Sequence, residues 1–213
     1  MRHQRDVMVE RQIVARGIHD PHVLAALRTV PREQFVPKPQ RVKAYEDSPL
    51  PIGEGQTISQ PYIVALMSEL GDIQPGDRVL EVGTGSGYQA AVLAELTNAD
   101  RVYSIEILPK LAERARQTLD ELGYRAIHTR TGDGYQGWPE AAPFDAILVT
   151  AATDRVPPPL LGQLAFGGRL VIPVGPAGVI QTLQVIERRS DGEFVSHDVI
   201  PVSFVPLIHQ PSE

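Results

Sequence analysis

The chain has 213 residues, 42% of them hydrophobic and 22% charged, which suits one substantial folded domain and excludes an intrinsically disordered chain. It contains no cysteine, which excludes a disulfide framework and thiolate metal ligands, and its net charge of -6 disfavours general attraction to nucleic acid. The opening MRHQRDVMVERQ lacks the apolar segment of a secretion signal, and no run approaches the roughly 18 apolar residues of a membrane span, so a cytoplasmic protein without a membrane partner is expected.

In chain order, Asp20 followed by Pro21 predicts a helix N-terminus, with Val23, Leu24 and Leu27 as its apolar stripe. His19 and His22 are the closest histidine pair, but their HDPH setting reads as solvated loop rather than metal site, and no metal is expected. The proline-rich stretch from Pro31 to Gly55, with VPREQFVPKPQ and SPLPIGEG, reads as an ordered connecting loop. Residues 1–55 are thus expected to form a helical N-terminal cover and connecting loop, and 56–213 the main domain, within one compact unit. Next comes GQTISQPY, Gly55 to Tyr62, a cluster of uncharged hydrogen-bonding side chains. Ser59 stands where an N-cap belongs, ahead of Pro61 and the apolar YIVALMSEL. A capping box would want Glu or Gln three residues on, yet Tyr62 stands there, so capping explains little of the cluster.

Beyond Gly76 strands and helices alternate. RVLEVG, RVYSIEI, AIHTRT, FDAILVT and RLVIPVG read as strands. YQAAVLAEL, PKLAERARQTLDELG (opened by Pro109, closed by Gly123) and PPLLGQLAFGG read as helices. TLQVIERR and EFVSHDVIPVSF flank SDGE, whose Asp191-Gly192 pair is a turn signal. The expected fold is α/β: a doubly wound, mostly parallel sheet with helices on both faces, an antiparallel C-terminal hairpin and a small helical N-terminal extension.

The sharpest chemical signal is VLEVGTGSGYQ, where a strand runs into Gly83, Gly85 and Gly87 and then into a helix. Such a bend lets backbone approach a ligand without side-chain obstruction. The spacing departs from the dinucleotide pattern G-x-G-x-x-G, because the third glycine comes one place early and Tyr88 follows, which disfavours a nicotinamide oxidoreductase. Glu106 follows Gly83 by 23 positions, close to the ~20-residue offset at which an acid binds ribose hydroxyls. Two readings of Glu81 stay open, a ligand contact and a carboxylate that only accepts backbone hydrogen bonds at a strand end. TGDGYQGW puts Asp133 and Gly134 after the third strand, at the sheet edge where ligands bind; an Asp-Gly turn is the plain alternative.

VLEVGTGSGYQAA, the acid in SIE, the later GDG and PFDAILVTAA resemble the S-adenosylmethionine-dependent methyltransferases of the Rossmann-like class. With DSPLPIGEGQTISQPYIVA upstream and PVSFVPL near the end, the chain from about residue 5 to 208 resembles the protein-L-isoaspartate O-methyltransferase family. The resemblance implies that Gly83, Gly85 and Gly87 face the methionine part of S-adenosylmethionine, Glu106 its ribose, and Asp133 with Gly134 its adenine. It further implies that Ser59 matches the active-site serine, with Thr57 and Ile58 lining the same place. The product cofactor would be S-adenosylhomocysteine. The partners would be isoaspartyl-containing proteins and peptides, not nucleic acid, and the working form a monomer.

The implied chemistry suits these groups. An isoaspartyl carboxylate, with an ordinary pKa near ~4, is ionised at neutral pH and needs no strong base. Positioning alone can account for roughly 7 to 11 kcal/mol of a barrier. PVSFVPL is expected to be an extended edge for the peptide or only a sheet strand. Two rivals remain on the residues. Transfer to nucleic-acid base nitrogens is disfavoured because VTAA, Val149 to Ala152, lacks the Asn or Asp, two prolines and aromatic of such enzymes. A noncatalytic binding protein would be expected to show damage in GQTISQPY, which is intact.

Overall fold

The computed structural model describes residues 1–176 and 178–209; the terminal PSE, which carries no motif, lies outside them. Helix α1 (Arg2–Met8) continues through a π-helical turn at Val9–Ile13 and is followed by α2 (Pro21–Thr29). Asp20 caps α2, accepting the N–H groups of His22 at 2.7 Å and Val23 at 3.1 Å, while Val23, Ala26 and Leu27 turn inward. Strands β1 (Leu50–Gly53) and β2 (Gln56–Ile58) form a small antiparallel ribbon ahead of α3 (Pro61–Leu70).

The main sheet then builds as β3 (Val79–Val82), α4 (Tyr88–Leu96), β4 (Val102–Glu106), α5 (Pro109–Glu121), β5 (His128–Thr131), β6 (Phe144–Val149), α6 (Pro158–Gly162), β7 (Leu164–Val174), β8 (Gln181–Arg188) and β9 (Phe194–Val202). Its seven strands lie in the order β5-β4-β3-β6-β7-β8-β9. The first five are mutually parallel, and β8 and β9 add antiparallel. The alternation of side chains separates two cores. Val79, Val102, Ala146, Leu148 and Val171 face the N-terminal elements, α3 and α4. Leu80, Val82, Ile105, Ile147 and Ile172 face the opposite side, where the short α6 supplies Leu160. All of β3 is buried, as expected of a central parallel strand covered on both faces. In α5 the spacing of Leu111, Ala115 and Leu119 makes a buried stripe, and Glu113, Arg116 and Asp120 pair on its outer side.

Three local expectations need correction. The stretch from Pro31 to Gly55 is not only loop: it holds 3-10 turns at Arg32–Gln34 and Lys38–Lys43 as well as β1, because Leu50 and Ile52 pack into the core while the backbone pairs with β2. Ser59 is not the cap of α3. Gln60 takes that position without a side-chain cap bond, and Asp47, distant in sequence, accepts the Tyr62 N–H at 3.1 Å. Finally, LAFGG is strand rather than helix. Leu164 pairs with Phe144 and Arg169 with Ala146, so Gly167 and Gly168 form a bulge. A Cβ on Gly168 would stand 2.9 Å from the carbonyl oxygen of Asp145, so only glycine permits that approach.

Candidate active site

Strand order reverses at β3, which has β4 on one side and β6 on the other. Open α/β sheets bind ligands beyond the C-terminal ends of strands at such a point. A cleft of about 770 Å³, its open mouth included, lies there, bordered by Glu81, Gly83, Gly85, Glu106 and Gly134. The loop after β3 turns because Gly83, Gly85 and Gly87 all take positive φ, at 98°, 54° and 88°. Thr150, just after β6, locks it: its hydroxyl donates to the Gly83 carbonyl at 2.7 Å, with the Val82 carbonyl at 3.1 Å. A Cβ on Gly83 would meet that hydroxyl oxygen at 2.6 Å, and one on Gly134 would meet Val82 Cγ1 at 2.4 Å.

The two acids differ in their environments. Glu106 ends β4 and accepts the Gly85 N–H at 2.8 Å through Oε2 and the Leu108 N–H at 3.0 Å through Oε1. Its carboxylate therefore shapes the glycine loop and keeps lone pairs for a ligand. Glu81 is fully buried beside Ser104 in the parallel ladder. Burial pushes its carboxyl up to about 8; the Ser104 hydroxyl opposes this and Glu106 adds to it. Glu81 Oε2 is hydrogen-bonded to Ser104, whose hydroxyl also meets Thr84 Oγ1 at 2.6 Å. Glu81 Oε1 makes no hydrogen bond of ordinary geometry, although the Ala90 N–H is near enough to favour the ionised form. A cradle too tight for a Cβ, beside a buried carboxyl with one unmatched oxygen, fits a polar, hydroxyl- and amine-bearing ligand such as S-adenosylmethionine.

A second cavity, about 1090 Å³ with its mouth, adjoins the first. Both are bordered by Thr57, Ser59, Thr150 and Val205. The second is mostly apolar, with Ile63, Ile180, Ile200, Val202 and Phe204 among its walls and Arg16 at one side. The PVSFVPL segment forms part of both walls: Val202 ends β9, and Val205 to Leu207 run beside Ala152, whose N–H donates to the Val205 carbonyl at 2.8 Å.

From residue 3 to residue 212 the sequence matches the profile of Protein-L-isoaspartate(D-aspartate) O-methyltransferase (PCMT). The chain belongs to this family. Membership makes it an S-adenosylmethionine-dependent methyltransferase of isoaspartyl residues. It is 58% identical over 207 residues to the protein-L-isoaspartate O-methyltransferase of Opitutus terrae, covering 97% of this chain and 88% of that one. With the Gloeobacter violaceus protein of the same name it shares 57% over 203 residues, 95% of this chain and 98% of the other. The fold superposes, with TM-score 0.84 and 26% identity, on a protein-L-isoaspartate O-methyltransferase structure from Plasmodium falciparum solved with S-adenosyl-L-homocysteine, over 96% of this chain and 98% of that one.

Thr57, Ile58, Ser59, Glu81, Gly83, Gly85, Glu106 and Gly134 all border the first cleft. Two predicted contacts do not. Gly87 is the N-cap of α4 and packs toward Leu119 and Ala115, and Asp133 caps the following 3-10 turn by accepting the Tyr135 N–H at 2.9 Å. Gly87 thus opens α4, and Asp133 opens the turn that carries Gly134. The sequence reading of this methyltransferase missed Thr84 and Thr150, and it read PVSFVPL as a peptide edge or a strand without placing Val205 to Leu207 at this first cleft. Thr150 carried a usable signal, since it follows a buried strand at the sheet's ligand edge.

Proposed function

We propose that methyl transfer takes place at the common border of the two cavities, with the donor in the glycine-loop cleft and the isoaspartyl peptide in the apolar one. The observation that carries this reading is that Thr57, Ser59, Thr150 and Val205 border both spaces. Two reactants seated in spaces that share a border are held within reach of each other. When bound, S-adenosylmethionine supplies a methyl group already activated on a sulfonium.

The chain's own residues then have limited tasks. Glu106 holds ribose hydroxyls with the lone pairs that Gly85 and Leu108 leave over. Gly83 and Gly85 bring backbone against the methionine part. Glu81 presents its unmatched oxygen to the cleft, and Asp133, which caps the turn at Gly134, meets the adenine together with Gly134. Gly87 acts by turning the loop into α4. The Ser59 hydroxyl orients the acceptor carboxylate, which is ionised at neutral pH and needs no base. The backbone of PVSFVPL sets peptide register, because apolar discrimination of the one methylene that separates isoaspartyl from aspartyl gives only ~1 to 3 kcal/mol. On this reading the product methyl ester begins repair of damaged proteins. The enzyme works as a cytoplasmic monomer without nucleic-acid or membrane partners, and the net charge of -6 supports the lack of attraction to nucleic acid.

Labelled donor with matched isoaspartyl, aspartyl and RNA substrates tests the assignment. Base-labile ester is expected on the isoaspartyl peptide alone; donor binding without transfer would defeat the catalytic reading. Ser59→Ala is expected to slow single-turnover transfer by about 10- to 100-fold, the worth of a hydrogen bond to a charged group, and an unchanged rate would refute its role.

A further inference from the structure

Arg32 is fully buried, and none of the ion pairs among the described residues includes it. Its Nε donates to the Ala44 carbonyl at 2.8 Å and its Nη2 to the Ser59 carbonyl at 2.7 Å, while Nη1 is buried without a partner. The guanidinium lies 4.9 Å from the ring centroid of Tyr88. Tyr88 opens α4 directly after the glycine loop, and Phe35 meets its ring edge-on at 5.5 Å. Burial lowers the Arg32 pKa to about 10, so the side chain stays charged at neutral pH. An apolar side chain of similar shape would avoid the cost of a buried charge with an idle N–H, so core stability is a weak reason for arginine here.

What the guanidinium does join is three segments: the end of the Lys38–Lys43 turn, the Ser59 peptide and the first residue of α4. Ser59 falls between the end of β2 and the start of α3, where neither a ladder nor a helix orients its peptide. We propose that Arg32 is a positioning residue for methyl transfer, fixing the Ser59 peptide against the helix that follows the glycine loop so that the serine hydroxyl meets the acceptor in one orientation. This rests on the orienting role of Ser59 given above.

The test is single-turnover methylation of an isoaspartyl peptide at saturating donor, with peptide KM measured alongside, for wild type, Arg32→Met, Ser59→Ala and the double variant. Methionine keeps the apolar stem and removes both donors. Arg32→Met is expected to lower the rate about 10- to 100-fold, the scale of a small misplacement of a reacting group. Peptide KM should change by less than about threefold, since binding itself is untouched. In the Ser59→Ala background the same change should cost under about twofold, because the group it positions is gone. Arg32→Lys, which keeps the charge and can keep one of the two bonds, should recover part of the rate. An unchanged rate in Arg32→Met, or a loss that multiplies in full with that of Ser59→Ala, overturns the proposal. Ser59→Ala without effect would instead strike down the reading beneath it. If Arg32→Met does not fold, the same cycle with Arg32→Lys decides by the same two criteria.

Discussion

Alanine at position 83 would test the glycine cradle with a single carbon. Gly83 has φ of 98°, where a side chain costs about 1 to 2 kcal/mol. The added Cβ would stand 2.6 Å from Thr150 Oγ1, so the threonine must rotate and give up its bond to the Gly83 carbonyl at 2.7 Å, a net loss of about 0.5 to 1.5 kcal/mol. Together these predict a destabilisation of about 1.5 to 3.5 kcal/mol, a large share of the ~5 to 15 kcal/mol typical of a domain. For a chain of this size Tm should fall by about 5 to 10 °C. Thermal unfolding by circular dichroism measures this, and calorimetry with S-adenosylhomocysteine should show weakened binding, because Thr150 borders the same cleft. Combining Gly83→Ala with Thr150→Ala removes the collision but not the backbone strain. The added cost of Gly83→Ala over Thr150→Ala should then shrink to about 1 to 2 kcal/mol. A Gly83→Ala protein within about 0.5 kcal/mol of wild type, the range of an ordinary surface change, would refute the reasoning, as would full additivity in the double variant.

Glu81 gives a pH test. Its folded carboxyl is raised to about 8 from an ordinary 4.5, so between those values the folded state holds the proton that the unfolded state has released. Its contribution to stability is full below about 4.5 and is lost as pH rises through about 8. Wild type should therefore lose more Tm than Glu81→Gln from pH 5 to pH 8.5, and parallel profiles would remove the claim. Ile180, 73% exposed at the edge of the second cavity, is a surface position, so Ile180→Ser should cost under about 0.5 kcal/mol of stability. It should raise the KM for isoaspartyl peptides while leaving S-adenosylhomocysteine affinity unchanged; an unaltered peptide KM would argue against an apolar peptide groove. Asp47→Ala removes the acceptor for the Tyr62 N–H and the partner of Arg16 at 2.6 Å, and should lower stability by about 1 to 2 kcal/mol, the worth of a lost cap. Denaturant unfolding checks it, and a stability unchanged by the substitution would mean that α3 needs no such cap.

Much of the sheet was legible because each strand and helix carries its own periodicity. Leu111, Ala115 and Leu119 announce one face of α5, and the apolar run from Ala146 to Val149 in β6 announces a strand buried on both sides. The errors came where a distant partner overruled a local signal. The Gly167-Gly168 pair resembles a helix end, yet the carbonyls of Phe144 and Asp145 lie so close to Gly168 that it serves a bulge in β7. Ser59 resembles a cap, yet Asp47 performs that service from 15 residues away.

The same division holds at the site. Sequence alone determined the bend at Gly83, Gly85 and Gly87 and the placing of Glu106 at the end of the next strand, because positive φ and strand length are demands that a residue and its neighbours meet locally. Tertiary structure decided that Thr150 locks that bend, that Val205 to Ile208 return to wall the cleft, and that Arg32 reaches the Ser59 carbonyl. Those contacts join segments 27 to 120 or more residues apart. Their geometry is set by how the two cores pack against the sheet, and no local pattern of residues records it.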